Sequence, residues 1–587
     1  MKKIKVIILG QILLVFLGGL SSCKDFFDFP DSSSFNEDSI FTKYKNAEQL
    51  VYEMYTNLPD VILSNNFEKP LNGPSLDVIT DGAAAFSGQS QYGTHKFISG
   101  ALTSSNVCIE DGEYIYDRHW KNIRIAHTLI ERINEVPDAT IEQKERIVGE
   151  AKTMLALKYF EMFKRFGGVP LVKKRLEDPA EYKIPRSSLQ DTYDYIIQLC
   201  NEAIDNAYLP ATVSSLEFGR LTKAVAYGIK AKTMLWAASP LFNTASPYED
   251  LGENNSLICF GYEDKNKWKE AADAARAAIK FCEDNGYEIV ENQATPVENY
   301  KVATQYVPGR GNTEVIWGRV KPMNAYFWFV RGAPLNGYAT NTPTHNQVEK
   351  YRTTMGTFID WNKKITTAPN NPDEPYENLE PRFQASIAYN GKFWYTGCEL
   401  EFFNSGESGA TDGKNSQKIA KTEYSYGLHK YVWGFEDVWK TGATWRCVST
   451  WMRLAELYFA EAEALNNYDG ITYKAEIIAS LNKVLNRSGM SVPEDLSPDQ
   501  MQLFIEREKA VEFFFESQRY FDVKRWLKGE ELAGEIYDID IKKYKNGTYT
   551  YEKVVRENRI WRNHYYLWPF PQTEMNKNYG LIQNPGW

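Results

Sequence analysis

Met501 to Trp526, MQLFIEREKAVEFFFESQRYFDVKRW, constrains this chain more than any other stretch. Its spacing predicts one helix of about seven turns at ~3.6 residues per turn. Apolar residues fall on every side of it: Phe504, Val511 and Phe515 on one, Phe514 and Phe521 on another, Phe513 and Tyr520 on a third. A helix that is apolar all round is buried. Glu508, Glu512, Glu516, Arg519 and Asp522 nevertheless share one strip, and charges are buried only when paired and hydrogen-bonded. Three-residue spacing predicts pairs between Glu516 and Arg519, Arg519 and Asp522, and Asp522 and Arg525. The three glutamates repel one another at four-residue spacing, so they require cations from elsewhere. Arg453 and Glu456, on a neighbouring helix, are candidate partners in this ion network, which also holds Arg519 and Arg525.

The N-terminus reads as a secretory signal. Lys2, Lys3 and Lys5 precede an apolar run from Val6 to Leu20, then Ser21, Ser22 and Cys23. The run is shorter than the ~20 residues a spanning helix needs. Leu-Ser-Ser-Cys resembles the bacterial lipobox, which makes residues 1–22 a lipoprotein signal peptide and Cys23 the lipidation site. Acyl chains on Cys23 would anchor the chain to a membrane.

Composition excludes other classes. The net charge is −10 and no basic cluster is present, which argues against a nucleic-acid partner. None of the cysteines forms C-x2-C and no His pair forms H-E-x-x-H, so no zinc cluster and no cofactor is expected. With 37 Tyr and 15 Trp, the aromatics exceed what a routine core needs.

Helices are predicted at 46–58 (with Asn46 as N-cap), 114–136, 141–166, 187–207, 222–238 and 268–285, then at 448–466 and 473–487. Such helices bury their faces only by stacking in pairs. The expected fold is therefore mostly α: a tetratricopeptide-like helical scaffold with an inserted loop-rich lobe. Residues 23–45 form a tether, 46–286 an N-terminal helical region, 287–444 the lobe and 445–587 a C-terminal helical region and tail. Within the lobe, 314–320 and 383–389 read as short strands. Ile541-Lys542-Lys543 reads as a solvated charge run.

Several motifs resemble the SusD/RagB family. Arg507, Glu512, Glu516, Arg519, Asp522, Arg525 and Trp526 match its C-terminal signature. Residues 151–172, residues 219–239, the segment carrying Arg453, Ala455, Glu456 and Tyr458, and the Gln583-Asn584-Pro585-Gly586 end extend the likeness. Glu380-Pro381-Arg382-Phe383 departs from the usual Arg-Asp-Pro-Arg, which puts one lobe contact in question. The resemblance implies a surface lipoprotein of the outer membrane that binds a glycan without cleaving it. Its partner would be a SusC-like TonB-dependent transporter.

The family motifs are scaffold motifs and name no sugar contacts, so these come from the residues. A pyranose has an apolar face that a flat ring can stack on. The lobe carries Tyr326-Phe327-Trp328-Phe329, Trp361, Phe393-Trp394-Tyr395, Trp433, Phe435 and Trp439. Tyr326, Trp328, Trp394 and Tyr395 are the candidate glycan contacts, with Arg331 for hydroxyls, although Tyr326 to Phe329 reads equally as a buried strand. Asp77, Asp81 and Tyr92 form a second candidate group, in which the aspartates hold a cation or a sugar hydroxyl, or serve as turn caps. Two alternatives stay open. A glycoside hydrolase would need two accessible carboxylates facing one cleft, with Glu508, Glu512 and Glu516 as candidates. A peptide-binding repeat scaffold would use a groove of helix faces.

Overall fold

Where caps and apolar stripes coincide, helices form. In the computed structural model, which describes residues 37–56, 58, 75–85, 93–105, 116–322, 341–393, 400–403, 424–431 and 446–587, α1 spans Tyr44–Thr56 and α2 Tyr116–Arg132. Asn46 does not cap α1; its side chain is tied back to the Ser39 carbonyl. The first N–H of α1, on Tyr44, is instead taken by Asp138, 94 residues away. α3 (Ile141–Phe166) has the predicted bounds. Thr140 and Gln143 form a reciprocal capping box at its start, and Gly167, at φ 79°, ends it. α4 (Leu189–Asp205), α5 (Lys223–Ala238) and α6 (Asn266–Asp284) follow, the first two capped by Ser188 and Thr222.

Each of these helices packs on the next, α1 on α2 through to α5 on α6. The chain then leaves the stack. It makes α7 (Pro296–Gln305), β1 (Val315–Pro322) and the short α8 (Pro381–Ser386). The predicted strand at 383–389 is thus mostly helix, with only Ile387–Ala388 extended. A return strand, β2 (Arg446–Arg453), pairs antiparallel with β1, Val320 opposite Val448. This corrects the helix expected from Val448. Val-Ser-Thr-Trp suits a pleated surface, and β1 supplies its partner. Gly228 of α5 permits the approach of β2, because a Cβ there would lie 2.1 Å from the Met452 sulfur.

The stack resumes at α9 (Leu454–Asp469), which packs directly against α6. α10 (Lys474–Leu485) and α11 (Pro498–Glu512) both lie against α9. The single long helix expected over Met501–Trp526 is broken. α11 stops at Glu512, and α12 (Arg519–Arg525) begins after a break in which Phe515 and Ser517 both adopt φ 57°. A hairpin, β3 (Gly534–Lys543) with β4 (Tyr549–Arg559), follows. Ile541 is a buried residue of β3, so the supposed charge run is a strand. One apolar cluster runs from Phe41 to Leu581 and takes in Trp361 of the lobe aromatics, whose ring meets the His345 ring edge to face at 4.9 Å.

Candidate functional site

The charged strip of α11 lies at the centre of the molecule. Five carboxylates, Glu314, Glu380, Glu508, Glu512 and Glu516, meet five cations, Arg352, Arg382, Lys430, Arg453 and Arg487, and all ten are buried. Arg453 donates to Glu314 at 2.7 Å, to Glu512 at 2.9 Å and to Glu516 at 2.8 Å. Arg382 binds Glu508 and Glu380, each at 2.6 Å, and Glu512 at 3.3 Å. Arg352 binds the other Glu508 oxygen at 3.0 Å, Lys430 binds Glu516 at 2.7 Å, and Arg487 bridges Glu314 and Glu512. Glu380 and Arg382, at the motif departure, are both paired within this network.

The expected pairing within the stretch is only partly realised. Asp522 meets Arg525 at 2.7 Å, and both join Glu463, Lys509 and the Trp526 indole in a second buried group. Arg519 pairs with neither Glu516 nor Asp522. Its guanidinium binds Asp81 at 3.1 Å and Glu531 at 2.8 Å. Glu456 accepts from the Arg453 backbone N–H at 3.2 Å and pairs with Lys232. Arg507 is outside the network altogether: it is exposed, with its guanidinium over the Phe358 ring at 4.4 Å.

These contacts decide what the glutamates can do. Burial opposes ionisation of Glu512, but the Arg487, Arg453 and Arg382 charges overcome it and hold the carboxyl down at about 2. A general acid needs a pKa near the working pH and reach to a substrate. Glu508, Glu512 and Glu516 are closed off by guanidinium and ammonium groups and serve as structural charges.

Asp77 and Asp81 also face inward. Asp77 accepts from the Ser75 hydroxyl at 2.6 Å and from the Ser517 N–H at 3.2 Å. Burial pushes it up to about 6, against the pull of those donors. Asp81 uses both oxygens, on Arg519 and on Lys350 at 2.8 Å. Turn chemistry accounts for the Ser75 contact of Asp77 but not for its bond from Ser517. The ion pair of Asp81 carries no local sequence signal, since its partner lies 438 residues away. Cys23, Tyr92, Tyr326, Trp328, Arg331, Trp394 and Tyr395 lie outside the described residues, as do Phe327, Phe329, Trp433, Phe435 and Trp439. Among the described residues, no group of His, Cys, Asp and Glu is placed to hold a metal.

The model of the SusD family matches residues 298–587, and one described as starch-binding and associating with the outer membrane matches residues 25–235. The chain belongs to the SusD/RagB family. SusD-like protein P38 of Formosa agariphila is 24% identical over 546 residues, which span 91% of this chain and 94% of that one. A SusD-like protein of Bacteroides fragilis shares the fold with a TM-score of 0.73 at 22% identity, over 94% of this chain and 99% of the other. A laminarin-binding SusD-like protein does so with a TM-score of 0.54 at 19% identity, over 93% and 99%.

As a SusD/RagB scaffold, the molecule clamps its lobe to its helices by charge. Glu314, Arg352, Glu380, Arg382 and Lys430 all come from the lobe, and of these only Glu380 and Arg382 stand in a motif of the sequence. Nothing local marks Glu314, Arg352, Arg382 or Lys430 for this network, since their partners sit on α11, in the break after it, on β2 or just after α10; Glu380 pairs with the nearby Arg382. The turn after α8 shows the same anchoring. Asn390 donates to the Tyr551 hydroxyl at 2.9 Å and accepts from the Phe402 N–H at 2.9 Å, which ties the turn to β4. Phe393, the next aromatic, is 70% exposed.

Proposed function

We propose that this protein is a non-catalytic glycan-binding lipoprotein of the outer membrane. It captures oligo- or polysaccharide for uptake through a SusC-like TonB-dependent transporter, over which it acts as a lid. The observation that carries the reading is the separation of chemistries. The carboxylates of the charged strip are neutralised inside the core, while an aromatic is offered to solvent where the lobe turn ends. Capture needs flat apolar faces and a few hydrogen-bonding groups, not an acid and a base. The starch-binding description of the family model and the laminarin-binding relative support a polysaccharide ligand. The lobe at 287–444 is the sugar side, with Tyr326, Trp328, Arg331, Trp394 and Tyr395 as contacts.

The test titrates soluble starch and laminarin into the purified protein and assays the mixture for new reducing ends. Binding without cleavage is expected. Trp328→Ala or Trp394→Ala should weaken it about tenfold, equivalent to ~1.4 kcal/mol, with an unchanged melting temperature. Reducing ends that disappear when one carboxylate is replaced would overturn the reading in favour of a hydrolase.

A further inference from the structure

We infer that Lys392 is a positioning residue that presents Phe393 as a sugar-contacting face, an assignment that rests on the glycan-binding reading above. A single exposed phenylalanine is ordinary on any protein surface. What distinguishes Phe393 is the fixed backbone beneath it. The Gly391 N–H donates to the Leu400 carbonyl at 2.8 Å, and the Leu400 N–H returns to the Lys392 carbonyl at 2.9 Å, so the chain is closed just before Phe393. Gly391 sits at φ +90°, and a Cβ there would lie 2.8 Å from the Asp373 nitrogen, so only glycine makes this turn without displacing the 372–373 backbone.

The Lys392 side chain turns under the same point. Its ammonium donates to the Gln384 carbonyl at 2.6 Å and the Ile387 carbonyl at 2.9 Å, and meets His429 Nδ1 at 3.3 Å. The Gln384 contact satisfies a carbonyl at the C-terminal end of α8, and the Ile387 contact one just past it. Burial, and next the Lys301 charge, push the Lys392 amine well below the usual lysine range. Burial, and next the Lys392 charge, push the His429 imidazole well below its usual range as well, which leaves it neutral and able to accept. A lysine on a surface turn would ordinarily extend into water. This one is spent on holding the turn, and through it Phe393, against α8. Arg382, on the same short helix, ties α8 to Glu508 and Glu512 of α11, so the presented ring is referenced to the helical core.

The test uses the full-length protein in detergent, with soluble starch and laminarin as probes. Phe393→Ala should weaken binding about fivefold to tenfold, and Phe393→Trp should restore it, at one melting temperature. Lys392→Met should weaken binding by a similar factor. In the Phe393→Ala background, however, Lys392→Met should cost less than about twofold more, because residues acting through one another are not additive. Should Lys392→Met not fold, Lys392→Gln, which keeps a donor, takes its place. Additive losses, or Phe393→Ala binding like the parent, would overturn the assignment while leaving glycan binding intact. A parent protein that binds neither probe would overturn the binding reading and this assignment together.

Discussion

Arg453 donates to three carboxylates and to the Glu512 carbonyl from a position with no solvent exposure. Its loss leaves Glu314, Glu512 and Glu516 sharing fewer cations in a dry setting. Breaking a buried charge group costs about 3–5 kcal/mol, a large part of a domain's stability. Arg453→Met should therefore lower the denaturation midpoint strongly, whereas Arg507→Ala, at an exposed site, should stay within ~0.5 kcal/mol of the parent. Chemical denaturation of both variants checks this, and equal midpoints would remove the network from the account of stability. The pH dependence has two signs. Glu512 and Glu463 are buried, yet Arg487, Arg453 and Arg382 beside the first and Arg525 and Lys509 beside the second hold both carboxyls at about 2. Their contribution is present above the ordinary value near 4.5 and is lost as pH falls from there through 2. Asp77, raised by burial to about 6, binds its proton more tightly folded than unfolded, so its slope runs the other way: stability grows as pH falls from about 6 to 4. Unfolding free energy measured from pH 2 to 7 should thus peak near pH 4–5, and Asp77→Asn should flatten the slope above the peak.

Elements set by local rules were legible in the sequence. The Thr140 capping box and Gly167 sit within the segment they bound, so α3 appears where its residues place it. The α4 and α5 caps, Ser188 and Thr222, are likewise their own residues. The β3–β4 hairpin carried a usable signal, Asn546-Gly547 between two runs rich in alternating apolar residues, and Gly547 does adopt φ 82°. The break between α11 and α12 carried none. Phe513 to Gln518 contains no Gly or Pro, and two non-glycine residues there occupy the left-handed region. That strain is tolerated because distant groups fix each part of the break. Glu516 meets Arg453 and Lys430, the Ser517 N–H meets Asp77, and Lys430 binds the Phe514 carbonyl at 2.8 Å. Tertiary contacts override helix propensity here, and the same is true at α1, whose cap is Asp138.

At the scale of the whole molecule, the lobe leaves the helical stack after α6, and α9 closes the stack by packing against α6. Among the described residues no helix is long and apolar enough to cross a membrane. Cys23 is the proposed means of membrane attachment. Cys23→Ala should yield a folded protein that leaves the detergent phase on partitioning, since acyl chains supply the anchoring free energy. Retention of that variant with membranes would remove the lipid anchor from the proposal. By itself the sequence determined the helical class, most bounds of the first stack, the β1 strand, the burial of the 501–526 stretch and its need for foreign cations. Those properties follow from periodicity, capping and the cost of unpaired charge, which act within a few residues. Only the tertiary structure decided which cations answer which carboxylates, that Arg507 stays outside, that Arg519 belongs to Asp81, and that the long helix breaks. Each of those depends on groups tens to hundreds of residues apart being brought within about 3 Å, and no local pattern encodes such a distance.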